Sequence, residues 1–414
     1  MAFGASPEDP ALAAAWDRFC DRLKDAGRLA FKDAVPANPL QRADAFRFLT
    51  QNLGQAFPLA LETADPAWPM IHWFTHPTMK LGGDVADFTY RQAWISGQYR
   101  YRLTGKRGTA RFFNVTVQGP KPALMANGNP PLHEPFGDVP EANLFGHQLV
   151  TDADGSFEVL IGGEQAGPNW LPLTAGSRKL FIREGFDSWD ETPTPLTIER
   201  IGQCTVEFPG PRPLPTPQRM IEAMQWAGDF ATGLMRDWPE HSWANSGGVC
   251  DPTRLNEFPG ASANSAEDAK RGRMAAHMIW KLAPDEALIV EMDAHDGFWI
   301  FGMGGALVGS LDFLTRPVSA TPARTAVDED GVVRLVLAHE DPGVANWLDT
   351  QGFAEGNLTY RNLLSQQGAA IRTRLVKAAN LPAELPPTTR RVTPAEREAE
   401  RLRRYHSVKR RFGI

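Results

Sequence analysis

The sequence predicts a mainly β protein with added helices, arranged as two antiparallel sandwich domains that arose by internal duplication. Three observations carry this expectation. Asp154-Gly155 opens DGSFEVLIGGEQAGPNWL and is followed by Arg183, while Asp330-Gly331 opens DGVVRLVLAHEDPGVANWL and is followed by Arg361. The Asp-to-Asn spacing is 15 residues in the first copy and 16 in the second, and the Asn-to-Arg spacing is 14 and then 15. Two segments alike in order, type and spacing read as one supersecondary unit present twice. The second observation is a series of short runs of strand formers punctuated by Gly and Pro, the pattern of a sandwich or barrel. The third is a joint in which Pro209, Pro211, Pro213, Pro215 and Pro217 alternate. Such a stretch cannot pair as a central strand and forms a stiff connection.

Along the chain, residues 8–33 have Leu12, Trp16, Phe19, Cys20 and Leu23 at helical spacing. A second helix over 39–56 opens on Pro39 and turns Ala43, Phe46, Leu49 and Leu53 to one side. Strands follow at Tyr99–Leu103, Phe112–Val117, Phe157–Ile161, Leu180–Arg183 and Thr197–Ile201. Beyond the joint, helices are expected over 217–236 and 266–282. The latter is capped by Ser265 and carries Met274, Met278 and Ile279 on one side, and Asn245–Gly248 marks a loop between the two. Strands return at Ala287–Met292, Phe298–Phe301 and Val332–Leu337. Thr393-Pro394-Ala395-Glu396 is a capping-box helix start. The expected organisation is a helical segment (1–60), a first sandwich (61–208), a Pro-rich linker with helices (209–282), a second sandwich (283–380) and a basic helical tail (381–414).

Composition narrows the function. A net charge of −6 gives no reason to expect a nucleic-acid partner. Cys20, Cys204 and Cys250 are odd in number and scattered. They suggest neither a disulfide framework nor a zinc site, and a reducing cytoplasm is the expected location. The N-terminus lacks the basic and apolar regions of a secretory signal, and no apolar run is long enough for a membrane span. Residues 390–411 hold nine Lys and Arg against three Glu. The tail helix is therefore expected to pack on an acidic surface of the same chain, or of a second subunit in a homo-oligomer.

Several strings carry a resemblance: Lys80-Leu81-Gly82-Gly83-Asp84, Gly97-x-Tyr99-Arg100, Gly167-Pro168-Asn169-Trp170-Leu171, Ile198-Glu199-Arg200 and, most specific, Asp341-Pro342-Gly343-Val344-Ala345-Asn346-Trp347-Leu348-Asp349-Thr350. Over roughly residues 75–375 the chain resembles bacterial proteins with the domain of unknown function 1214. The resemblance implies jelly-roll-like sandwiches and no established reaction.

Candidate site residues follow from chemistry. The second copy continues Asn346-Trp347-Leu348 with polar residues that include Asp349 and Glu355, whereas the first continues with Pro172-Leu173. Asp349, Glu355 and Tyr90 are the candidates for proton transfer. Arg361, Arg183 and Lys80 would orient or stabilise charge, Arg100 would await an anion or pair with an acid, and Asn346 and Trp347 would form a wall or tie a turn. His72 and His76 are four apart, but Pro77 argues against a helix, and no metal or cofactor is expected. The reading is a cofactor-independent enzyme acting on a small, largely hydrophobic molecule by acid–base chemistry, with lyase, isomerase and hydrolase reactions open to it. The alternative is a non-catalytic protein that binds a carbohydrate or lipid-like ligand.

Overall fold

The computed structural model describes residues 6–121, 137–202, 210–239, 253–260, 274–307, 309–364 and 369–414. Helix α1 (Asp9–Leu29) and helix α2 (Pro39–Phe57) come first. Asn38 caps α2 by accepting the Gln41 amide at 2.9 Å, and Pro39 occupies the first turn. The first sandwich follows with β1 (His72–Thr75), β2 (Phe88–Trp94), β3 (Arg100–Lys106), β4 (Phe112–Pro120), β5 (Asp138–Phe145), β6 (Ser156–Ile161), β7 (Trp170–Leu171), β8 (Lys179–Gly185) and β9 (Leu196–Ile201). Helix α3 (Pro217–Pro239) separates it from the second, made of β10 (Met274–Lys281), β11 (Glu286–Asp293), β12 (Trp299–Gly304), β13 (Ser319–Ala320), β14 (Val332–Ala338), β15 (Trp347–Asp349), β16 (Glu355–Asn362) and β17 (Ile371–Lys377). Helix α4 (Pro394–Phe412) ends the chain.

The sheets establish the duplication strand by strand. The first sandwich has sheets ordered β1-β2-β8-β4-β5 and β7-β6-β3-β9, and the second has β10-β16-β12-β13 and β15-β14-β11-β17. Removing β1 leaves one topology twice, down to the single parallel pair in each copy, β6 with β7 and β14 with β15. The repeated asparagines perform one task. Asn169 donates to the Val150 and Glu158 carbonyls and accepts the Val150 amide. Asn346 donates to the Ala326 and Arg334 carbonyls and accepts the Ala326 amide. Each following tryptophan donates its indole N–H to a strand carbonyl, Gly162 for Trp170 and Ala338 for Trp347. Gly155 and Gly331 take the positive φ that each Asp-Gly turn requires.

The strand over Met274–Lys281 corrects the helix expected there; residues 266–273, the Ser265 cap and the Asn245–Gly248 loop lie outside the described residues. Met278 and Trp280 enter the second core, while His277 and Ile279 face the other way. Apolar residues at 274, 278 and 279 suit a helical period as well. Pairing with β16 from Met274↔Asn362 to Lys281↔Glu355 decides for a strand. Among the described residues, the strands of the second sandwich run from Met274 and those of the first from His72.

Two sandwich cores form as the alternation dictates. Tyr101, Leu103, Phe113, Val115, Val159 and Ile182 fill the first, and Trp280, Val290, Trp299, Phe301, Leu335 and Tyr360 the second. The outer faces of β2, β4 and β5 meet β12 of the other copy and the residue before it through a third cluster, where Phe88, Phe112 and Phe145 pack with Phe298 and Ile300. Helices α1–α3 form a separate cluster around Phe19, Phe48 and Phe230 that also takes in Leu81 and Leu307. Helix α4 has the anticipated capping box, with Thr393 and Glu396 bonded reciprocally. It docks on its own chain, with Val408 and Phe412 in the second core and Arg410 donating to the Trp189 carbonyl of the first sandwich. Among the described residues, no helix is long and apolar enough to cross a membrane.

Candidate functional site

The segment Lys80–Tyr90 enters the junction between helices and sandwiches. Gly82 and Gly83 both adopt positive φ, +67° and +68°, which bends the chain enough for Lys80 and Asp84 to reach one residue, Ser310. Lys80 Nζ lies 2.8 Å from Ser310 Oγ. Asp84 accepts the Ser310 amide at 2.8 Å on Oδ1 and its hydroxyl at 2.5 Å on Oδ2. Gly309 permits this approach, since a Cβ there would sit 2.9 Å from Lys80 Cβ. Lys80 Nζ also lies 3.5 Å from the centroid of Phe313, over its ring face. Burial lowers the Lys80 pKa to about 8 despite the opposing pull of Asp84. A cavity of about 20 Å³ beside it, bordered by Asp44, Arg47 and Asp312, has room for little more than one water.

From Gly83 the chain passes to a second group of side chains. The Gly83 carbonyl accepts Arg361 Nη2 at 3.3 Å. Arg361 stands on the outer face of β16, where its strand neighbours are Ala275 and Ile300. Arg183 stands at the matching register of β8, between Tyr90 on β2 and Asn114 on β4. The guanidinium of Arg183 lies over Phe181, 4.7 Å from the ring centroid, and donates to Asn114 Oδ1 at 3.4 Å. Tyr90 stacks between Phe88 and Phe181. Desolvation raises the Tyr90 pKa; Arg361 and Arg183 oppose the rise and Asp84 adds to it. Tyr90 therefore keeps its proton at neutral pH. Tyr90, Arg183 and Arg361 are each only partly covered, and Tyr90 lies within electrostatic reach of both arginines. The Nε of Arg361 is buried and has no hydrogen-bond partner among the described residues.

Of the residues singled out from sequence, Tyr90, Arg183 and Arg361 thus come together, with Lys80 in the adjoining group around Ser310. The others lie apart. Asp349 pairs with Arg316 at 2.8 Å and accepts the Gln351 amide, closing the turn after β15. Glu355 faces Lys281, 3.4 Å away, at the start of β16. That is six residues, or about 20 Å of strand, from Arg361. Asn346 and Trp347 hold the scaffold as described, with Arg397 over the Trp347 ring. Arg100 lies on β3 in the other sheet of the first sandwich, against Gly163. His72 sits on β1 with Nε2 3.1 Å from the Gln92 amide nitrogen, and His76 lies beyond that strand beside Thr78.

Ser310 and Asn114 were not evident from sequence. Ser310 carries no local motif. Asn114, Thr116 and Gln118 alternate with Phe113, Val115 and Val117 as solvent-facing residues would, yet every residue of β4 is buried. The polar face lies on the side of the sheet that the second sandwich covers at its Phe112 end.

The fold defines a duplicated β-sandwich protein in which Tyr90, Arg183 and Arg361 gather where the two copies meet. Residues 86–183, within the first sandwich, match the family model described as protein of unknown function, DUF1214. The crystal structure of an uncharacterized protein from Burkholderia cenocepacia is similar over 89% of this chain and 98% of its own, with 28% identity and a TM-score of 0.73. The VPA0106 protein from Vibrio parahaemolyticus matches over 84% and 100%, with 11% identity and a TM-score of 0.42. No curated protein matches the chain.

Proposed function

We propose that the junction of the sandwiches around Tyr90, Arg183 and Arg361 forms a recess that binds a small, largely hydrophobic molecule bearing an anionic group such as a carboxylate, and acts on it by acid–base chemistry without a cofactor. The observation that carries this reading is that Tyr90 lies within electrostatic reach of both Arg183 and Arg361, and that all three side chains stay partly exposed. Two guanidiniums suit a carboxylate, and Arg361 has an N–H to spare. Phe88 and Phe181, which flank Tyr90, offer an apolar wall for the body of the molecule. Tyr90, held protonated, supplies a proton or a hydrogen bond to charge that develops on the substrate. Lyase, isomerase and hydrolase reactions all fit that division of labour.

The non-catalytic alternative has a place of its own. An open groove of about 560 Å³ is bordered by Thr104, Lys106, Ser156, Glu158 and Thr197. Its one aromatic, Phe157, is buried in the first core. The groove therefore lacks the flat aromatic face on which sugars and lipid-like ligands rest, and the recess is the better site.

The test is a thermal-shift and calorimetric screen of alkyl and aryl carboxylates against their neutral amides, followed by NMR of each bound compound over time. Carboxylates should bind, amides should not, and Arg361→Gln should weaken binding at least tenfold. Conversion of a bound compound that stops in Tyr90→Phe supports catalysis. Binding with no conversion leaves the alternative class of a binding protein, and equal binding of acids and amides defeats the anion reading.

A further inference from the structure

A second cationic site lies away from the recess, where helix α4 meets the first sandwich. Arg404, Ser407 and Arg411 are spaced three and four residues apart and share one helical face. They are 3%, 1% and 2% exposed. Arg404 gives Nη2 to Glu400 at 3.0 Å, but its Nη1 has no hydrogen-bond partner among the described residues. Arg411 reaches the Ala86 carbonyl only at 3.5 Å and Asp87 at 3.7 Å, both through Nη1. Its Nε and Nη2 have no partner, and neither has the Ser407 hydroxyl. Nε and Nη2 form the guanidinium edge that grips two oxygens of one anion in parallel.

The charges around these donors do not balance. Arg324, Arg404 and Arg411 converge on Trp189, with guanidinium carbons 3.9, 5.1 and 5.9 Å from its ring centroid. The one fully buried acid beside them is Asp87, whose Oδ2 lies 2.6 Å from Arg324 Nη2. Glu400 sits at the rim and is shared between Arg404 and Arg397. Asp187, Arg324's other neighbour, accepts through its backbone carbonyl, and its carboxylate is engaged by Arg111. Buried cations and unpaired N–H groups are costly unless an acceptor meets them. Burial lowers Arg404 and Arg411 to about 10, which still leaves both charged at neutral pH.

We propose that Arg404, Ser407 and Arg411 form a binding site for a small inorganic oxyanion, phosphate or sulfate, lodged between α4 and the first sandwich. The anion would take the Nε–Nη2 edge of Arg411 on two oxygens, and Arg404 Nη1 and the Ser407 hydroxyl on the others. Because Val408 and Phe412 of the same helix are part of the second core, an occupant would tie the two sandwiches together.

The full-length protein should show a saturable rise in Tm with phosphate or sulfate, measured against chloride at matched ionic strength, and calorimetry should report a single site. Ser407→Ala, the gentlest change, should weaken that affinity about tenfold by removing one hydrogen bond to a charged group. Arg411→Lys, which keeps the charge and loses the paired edge, should weaken it further. Acetate, with two oxygens, should bind less tightly than either tetrahedral anion. Stabilisation that never saturates and is equal in Ser407→Ala is the general effect of excluded salts and overturns the proposal, as does the absence of any heat of binding.

Discussion

The two sandwiches share their internal hardware and differ on the faces they turn toward each other. Both hold the strand entry with an asparagine that makes three hydrogen bonds and a tryptophan that makes one. Matching register positions then diverge. Tyr90 corresponds to Ala275 and Asn114 to Ile300, while the arginine, 183 or 361, is common to both. One copy presents an aromatic and polar face, and the other a smaller, apolar one that carries the second arginine. Duplication thus placed two like cations near Tyr90, and divergence around them made the two faces different. The proposed site would belong to the junction and to neither copy alone.

The largest test of this contrast concerns the inner face. Glu184 and Asn362 occupy equivalent positions, opposite Phe113 and Trp299. Glu184 is fully buried, accepts Arg91 at 2.6 Å and takes the Thr194 amide at 2.9 Å. Glu184→Ala leaves Arg91 buried without its counter-ion and should cost about 3–5 kcal/mol. Asn362→Ala removes a neutral group and should cost about 1–2 kcal/mol. Denaturant unfolding of the two variants measures the gap, and equal losses would show that the buried ion pair is not what distinguishes the copies.

Next in size is the pair of arginines. If the recess is shared, Arg183→Gln and Arg361→Gln should each weaken binding of a carboxylate found by the screen by about tenfold or more. Both should leave Tm nearly unchanged, because both side chains are partly solvated. Loss in one variant only would assign the anion to a single copy.

Much of this arrangement was legible in sequence, and the limits have physical causes. The Asp-Gly and Asn-Trp-Leu signals are local backbone devices, so their spacing revealed the duplication. Arg183 and Arg361 are legible because each follows its copy of the repeat at matching spacing, and Lys80 and Tyr90 because a cation and a phenol lie close together ahead of the first copy. The sequence around Met274 predicts a helix because its apolar residues suit both periods and only β16, some 80 residues later, decides between them. The loop after Trp347 drew attention through its acids, yet Asp349 was needed by a turn whose Gln351 has φ of +58°. Ser310 could not be read at all, since its role comes from Lys80 and Asp84, which are more than 220 residues away in the chain.

Lys80 offers a pH test of how the helical unit and the second copy are joined. Its pKa is about 8 in the folded protein and near the ordinary 10.5 once unfolded. Between those values the unfolded chain holds a proton that the folded chain has released, so Lys80 makes stability rise with pH in that window. The slope should approach about 1.4 kcal/mol per pH unit. Lys80→Met lacks this contribution. The stability of the wild type relative to the variant should therefore improve from pH 8 to 10, measured by denaturant midpoints. A constant difference would mean that Lys80 remains charged throughout.

The smallest expected effect sharpens the comparison most directly. After the shared Asn-Trp-Leu, the first copy continues with exposed Pro172 and the second with buried Asp349. Asp349→Asn keeps an acceptor for the Gln351 amide and gives up one ion pair to Arg316, whose side chain is half exposed. Such pairs contribute under about 1 kcal/mol, and Pro172→Ala should change stability by about half that or less. Neither substitution touches the recess, so carboxylate affinity should be unaltered in both, as it should in Glu355→Gln, whose partner is Lys281. A tenfold fall in affinity or turnover in Asp349→Asn or Glu355→Gln, at unchanged stability, would move the chemistry out of the junction and into the polar loop of the second copy.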